Sequence, residues 1–280
     1  GNFFATQDIT QPTVTITTTT SNTPASGGTT TTAAIPMTFT MSESTTNFVE
    51  GDITVSGCTL SSFTGSGTSY SATCTATGTS ISINVAASAF TDSVNNGNTA
   101  ANSGAAYTWT YDGVAPTVSS ITMADTAIVV GDTPTLTVVL AEAAAGFTNA
   151  DIVCASGTLA ALSVAGDGVT YTGTFTPSAD TTAPSNTCVV GTSWTDTAGN
   201  NAASGITSSN YAVDTVAPTS ISITVGDTTL TEGETATVTV VLSEAAAGFT
   251  NADVTCANGA LAALSVAGDG VTYTGTFTPT

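Results

Sequence analysis

Apolar residues alternate with Thr and Ser in short runs along most of the chain. Between residues 116 and 215 the alternation predicts strands at 117–123, 134–141, 150–155, 159–165, 169–176, 187–194 and 206–213. In the fifth of these, Val169, Tyr171, Gly173 and Phe175 share one face, and Thr170, Thr172, Thr174 and Thr176 share the other. That pattern belongs to an antiparallel strand with one face on a core and one in water. Gly166-Asp167-Gly168, just before it, supplies the positive φ that a hairpin turn requires. Gly157 and Gly199 mark further turns, and 147–151 reads as one helical turn ahead of a strand. No stretch sustains a 3.6-residue apolar period, so the chain reads as all-β.

The pattern repeats. Residues 142–177 read EAAAGFTNADIVCASGTLAALSVAGDGVTYTGTFTP, and 244–279 read EAAAGFTNADVTCANGALAALSVAGDGVTYTGTFTP, an offset of 102 that extends back to Pro116 and Pro218. A diverged copy lies upstream, where SESTTNFVEGDITVSG (42–57) parallels 141–157 and TDSVNNGN (91–98) parallels TDTAGNN (195–201). The joints DITQPT (8–13), DGVAPT (112–117) and DTVAPT (214–219) recur too, each with a proline where a first strand begins and no ladder donor is needed. These marks divide the chain into the tail of a preceding repeat (1–9), a first repeat with a Thr-rich insert at 17–34 (10–114), a second (115–216) and an incomplete third (217–280). The third lacks a counterpart of roughly 181–213, so the sequence reads as a window onto a longer array. About seven short strands per ~100 residues, with turns every 8–12, is the signature of an immunoglobulin-like sandwich. The expected architecture is a stack of such sandwiches, end to end.

Composition narrows the function. The 280 residues include no Lys, Arg or His and 20 Asp plus Glu, for a formal charge of −20. A chain of ordinary usage would carry roughly 35 basic residues. Counterion release on a phosphate backbone needs Lys or Arg, so nucleic acid is not a partner. An anionic membrane surface would repel the chain, and no apolar run approaches the ~20 residues of a span, so direct insertion is not expected either. A Schiff-base lysine, a His base and an Arg clamp are all absent. Paired carboxylates remain, but a glycosidase cleft is usually lined with aromatics and only two Trp are present; Trp109 and Trp194 read as core or edge residues. No enzymatic activity is expected. Twenty like charges without an internal counter-ion repel one another, and a divalent cation is the natural neutraliser.

The run D-x-V-A-P-T … G-E/D-T-x-T-x-T-V-V-L-S-E-A … G-F-T-x-A-D-V … N-G-x-L-x-x-L … Y-T-x-T-F-T-P … D-x-A-G-N resembles the bacterial Ig-like repeats of very large surface proteins and adhesins. It covers the middle copy and nearly all of the last. The resemblance implies an exported array serving as stalk, fibre or adhesive. Similar arrays use calcium at inter-domain joints, which directs attention to Asp112 and Asp214. Acidic residues also recur at the end of the second strand (Glu43, Glu142, Glu244), before the last strand (Asp92, Asp196) and in the turn after the glutamate (Asp52, Asp151, Asp253). Hard cations take such oxygen ligands; the same carboxylates also suit turn caps and Asx-turns. The candidate calcium ligands are Asp92, Asp112, Glu142, Asp196, Asp214 and Glu244.

Five cysteines remain. Cys154 and Cys188 fall in different strands of one repeat, and a disulfide between them would close a loop of 34 residues. Cys58 and Cys74 lie in neighbouring strand segments and would bridge across a hairpin; Cys256 has no partner in this sequence. The alternative is five buried thiols in a reducing compartment. Disulfides would place the chain outside the cell, at the surface or secreted. The Thr runs 15–20 and 29–32 read either as O-glycosylation sites or as solvated strand faces. The expected function is a structural segment of an extracellular stalk, sheath or filament, with further repeats of the same chain and neighbouring copies as partners. The alternative is the spacer of an adhesin that binds glycan or another cell through a tip elsewhere.

Overall fold

A computed structural model describes residues 7–19 and 23–280. The expected tail of a preceding repeat falls mostly on residues 1–6, and Thr20 of the first Thr run lies with 21–22; these are outside the described residues. No α-helix occurs among the described residues, which form strands, four 3₁₀ turns and connecting loops. Among the described residues no helix is long and apolar enough to cross a membrane.

In the first repeat, Val14–Thr18, Ala34–Thr45 and Cys58–Ala76 make one antiparallel sheet. Gly28–Thr30, Tyr107–Tyr111, Ser80–Val85 and Ile53–Ser56 make a second, in that order, with Gly28–Thr30 running parallel to Tyr107–Tyr111. The alternation seen in the sequence is the alternation of burial. Ile81, Ile83 and Val85 are fully buried from one sheet, Met37 and Phe39 from the other, and together they form the core of a sandwich. An aromatic group caps it: the rings of Phe39, Tyr70 and Phe90 lie 5.1–5.9 Å from that of Phe48, tilted or edge-on to it. Such geometry adds to the area term, because ring edges carry positive charge and ring faces negative.

The next two repeats each contain the same five-stranded sheet. Val118–Met123, Thr135–Leu140 and Thr170–Pro177 pair with Val138 opposite both Ile121 and Tyr171. Ser220–Val225, Ala236–Leu242 and Thr272–Pro279 pair with Val240 opposite both Ile223 and Tyr273, a shift of 102 throughout. Asp167 closes the hairpin ahead of Thr170 by accepting the Val169 and Thr170 N–H groups and the Thr170 hydroxyl, and Asp269 does the same for Val271 and Thr272. The turn expected at 147–151 is a single 3₁₀ turn, Asn149–Asp151.

By contact the chain separates into two compact units, one of 1–126, 133–176 and 187–210, the other of 127–132, 177–186 and 211–280. The second unit includes a three-stranded sheet in which Tyr211–Asp214 lies between Thr182–Asn186 and a parallel Ala127–Val129. Ala127–Val129 and Thr182–Asn186 were not expected from the sequence. The expected strand 187–194 is shorter, Cys188–Val190, because the chain turns away at Gly191 to let Thr195–Asp196 pair with Ala144–Ala145. The expected 159–165 divides into Gly157–Leu159 and Ser163–Val164, both on Thr170–Pro177.

Candidate metal centre

The D-x-A-G-N loop is built around one carboxylate. Asp196 Oδ1 accepts the N–H groups of Ala198, Gly199 and Asn200 at 2.7–2.9 Å, and Oδ2 accepts the Asn200 side-chain amide at 2.8 Å. Asp196 is 1% exposed. Burial pushes its pKa up, but the Asn200 side chain and the three backbone donors outweigh burial and hold the carboxyl below its ordinary 3.8. The first repeat builds the same loop with different letters. Asp92 Oδ1 accepts Val94 and Asn96 N–H at 2.9 and 2.8 Å, and Oδ2 accepts the Asn96 amide at 2.8 Å. Asp92 is likewise lowered, with burial opposed by Asn96 and the loop backbone.

The same asparagine reaches the joint. Asn200 Nδ2 donates to the Asp112 carbonyl at 3.1 Å, and Asn96 Nδ2 to the Asp8 carbonyl at 3.2 Å. The joint proline follows suit, since Pro116 O accepts Ala203 N–H and Pro12 O accepts Thr99 N–H. On its other side, Asp112 N–H donates to Thr30 O in the first repeat. The joint between the first two repeats is therefore tied to both.

This brings three carboxylates together twice. Asp112, Glu142 and Asp196 each place an oxygen within 4.8 Å of the others, and so do Asp8, Glu43 and Asp92. Burial, then Asp196 and Asp112, push the Glu142 carboxyl above its ordinary 4.5; burial, then Asp8 and Asp92, do the same to Glu43. No Lys, Arg or His exists to answer either group. Asp196 keeps lone-pair capacity on Oδ2, where one side-chain donor leaves room for a ligand bond. Three carboxylate oxygens gathered this closely fit a hard divalent ion rather than a soft one. These groups have the donors to hold a metal.

The profile of the bacterial Ig-like domain matches three consecutive stretches, 8–109, 112–213 and 214–280. The chain belongs to the bacterial Ig-like domain family. No curated protein matches it closely enough to report. Of the carboxylates singled out in this Ig-like chain, Asp92, Asp112, Glu142 and Asp196 enter the two groups, whereas Asp214 and Glu244 enter no group of three among the described residues. Asp214 instead accepts the Thr182 hydroxyl at 3.1 Å. Asp8 and Glu43 complete the first group but were left out of the candidate ligands. Their positions relative to the joint proline and the strand end were the signal that would have included them. The turn aspartates do something else: Asp52, Asp151 and Asp253 each accept an N–H three residues back, from Val49, Thr148 and Thr250.

The Ig-like repeats also carry two disulfides, Cys154–Cys188 and Cys58–Cys74. Cys154 and Cys188 sit directly opposite in paired strands. Cys58 and Cys74 open and nearly close a single long strand segment, with Cα atoms 5.7 Å apart. Sixteen residues of straight strand would span roughly 50 Å, so the ribbon doubles back between them, helped by positive φ at Ser62, Gly65 and Gly67. Trp109 and Trp194 are both buried.

Proposed function

We propose that this chain is a non-catalytic structural segment of an extracellular stalk, sheath or filament, whose joints are stiffened by calcium. Tandem bacterial Ig-like domains support a structural or spacer role, and members of the family are typically non-catalytic. The observation that carries the reading is the recurrence of one carboxylate triad at successive joints, each wired to its joint through the same asparagine. A divalent cation there would neutralise two of the three charges and bond the joint aspartate to the body of the repeat that follows. Two disulfides fit an oxidising setting outside the cell. Outward faces rich in Thr, Ala and Gly offer few of the aromatic or charged anchors that recognition uses, which favours a spacer over a ligand-reading surface.

Calcium titration of the full chain tests this. The expected result is two ions per chain and a melting temperature that rises with free calcium. At one hundred times Kd the gain is about 2.7 kcal/mol per site, equivalent to roughly 10–20 °C for a domain of this size. A melt that is the same in calcium and in chelator would overturn the cation's role. Electron microscopy of the native assembly tests the rest: regular fibres support the structural reading, and isolated rods ending in a distinct head support the adhesin spacer.

A further inference from the structure

Carboxylates and hydroxyls are sorted to different parts of each repeat. Among the described residues Glu43, Asp196 and Asp214 are the only carboxylates in strands, each at or near a strand end; the rest sit in turns, loops and joints. The strands carry Thr and Ser outward instead. In the second repeat Thr122, Thr137, Thr172 and Ser163 stand opposite one another in a single row across four strands. Ile121, Val138 and Tyr171 beside them are buried, so the row lies on the outer face. The third repeat builds the same row from Thr224, Thr239, Thr274 and Ser265. The first repeat shares little sequence with these two yet presents the same face. Thr15, Thr40 and Ser69 form one of its rows, and Thr17, Thr38 and Ser71 the next. The opposite sheets do not recur in this way: Ser82 and Thr108 face outward in the first repeat, Val153 and Val189 in the second.

We propose that this hydroxyl face is the surface through which a second copy of the chain binds side by side. It gives the structural segment proposed above, on which the assignment rests, its lateral contact with neighbouring chains. Every copy carries a charge of −20, so two copies repel wherever their carboxylates meet. A face without carboxylates is where they approach at least cost. A Thr hydroxyl both donates and accepts, so a row of them is complementary to its own copy, as a two-fold contact between identical patches requires. Thr is also stiff at χ1, so little rotamer freedom is lost when the rows meet.

The size of the face sets the strength of the contact. Four strands about 4.8 Å apart and about five residues long cover about 300 Å². A stable interface takes about 800 Å² from each partner. One repeat therefore pairs weakly, and firm association needs several repeats of a chain to engage together.

Sedimentation of the full chain in chelator tests the face without any contribution from cations at the joints, so its failure is distinct from failure of the calcium-stiffened stalk. The expected result is self-association that grows with concentration and tightens between about 50 and 500 mM NaCl, because salt screens the like charges that oppose it. Thr38→Asp with Thr137→Asp places one charge on the central strand of the face in each of the first two repeats and should weaken association by about tenfold or more. Ser82→Asp with Val189→Asp adds the same two charges to the opposite sheets and should leave it within about twofold of the unaltered chain. A chain that stays monomeric at every concentration and salt would overturn the face, as would association that weakens with salt or equal losses in the two variants. So would a monomer that instead binds cellulose through the same residues, which would make the occupant a glycan.

Discussion

Asp196 satisfies three backbone N–H groups and one side-chain amide with a single carboxylate; beyond it, Gly199 N–H reaches only the Asp196 carbonyl, at 3.3 Å, and the Asn200 amide the Asp112 carbonyl, at 3.1 Å. Hydrogen bonds to a charged group are worth about 1.5–3 kcal/mol, and stranding buried donors adds their desolvation cost. Asp196→Ala is therefore expected to cost at least 2 kcal/mol, seen as a lower melting temperature for the repeat even in chelator, where no cation effect operates. An unchanged melt would mean that the loop is held by other bonds. A tighter steric constraint sits at Gly157. A Cβ there would press into the Phe175 ring and lie 2.6 Å from Thr176 O. Phe175 is fully buried and the carbonyl belongs to backbone, so neither can yield cheaply. Gly157→Ala should destabilise by about 1–3 kcal/mol, measurable by denaturant titration. Neither dependency was legible in the sequence beyond a residue type. D-x-A-G-N announced a loop and Gly157 announced a turn, but hydrogen-bond convergence and ring contact are facts of three dimensions.

Strands with a clear period of two were legible to within a residue or so, as 117–123, 134–141 and 169–176 show against Val118–Met123, Thr135–Leu140 and Thr170–Pro177. Those residues each have a buried face, and burial is what the alternation records. Thr182–Asn186 was missed because it contains Pro184 and only one apolar side chain besides; it is a strand because Tyr211–Asp214 lies alongside. Partner-dependence is plainest where equivalent segments of two similar repeats have different outcomes. Ile152–Cys154 pairs with Cys188–Val190, and Val254–Cys256 forms no strand. Backbone amides at 153 and 155, the hydrogen-bonded positions of that pair, should accordingly exchange with solvent at least tenfold more slowly than those at 255 and 257, in a single hydrogen-exchange experiment on one chain. Removing the disulfide of that pair, by Cys154→Ser with Cys188→Ser, removes a constraint on the unfolded chain worth about 3–4 kcal/mol for a loop of this length.

At the scale of the molecule the governing fact is a charge of −20 with no basic side chain. Sequence reading made the need for a counter-ion evident and found four of the six carboxylates that gather; the gathering itself depends on folding, because Asp112, Glu142 and Asp196 are far apart along the chain. Their titration makes the cation's role separable from that of pH. Glu142 and Glu43 have folded pKa values above the ordinary 4.5. In chelator, the folded state then binds more protons than the unfolded one at pH values above 4.5, and stability falls as pH rises through the folded values. Asp196 and Asp92 have the opposite sign: their contribution is present above 3.8 and disappears as pH falls through the lower folded values. Without a cation the melting temperature should be highest between about pH 3.8 and 4.5 and decline as pH rises through the folded values of the two glutamates. Calcium competes with protons for the same oxygens, so in saturating calcium the decline on the neutral side should vanish or reverse. Glu142→Gln removes one charge of the triad without changing its shape. Its melt in chelator at pH 7 should equal or exceed that of the unaltered chain, while its gain from calcium should fall by about half, leaving the Asp8–Glu43–Asp92 group to respond alone. A variant that lost stability in chelator and kept the full calcium gain would show that Glu142 packs but does not bind.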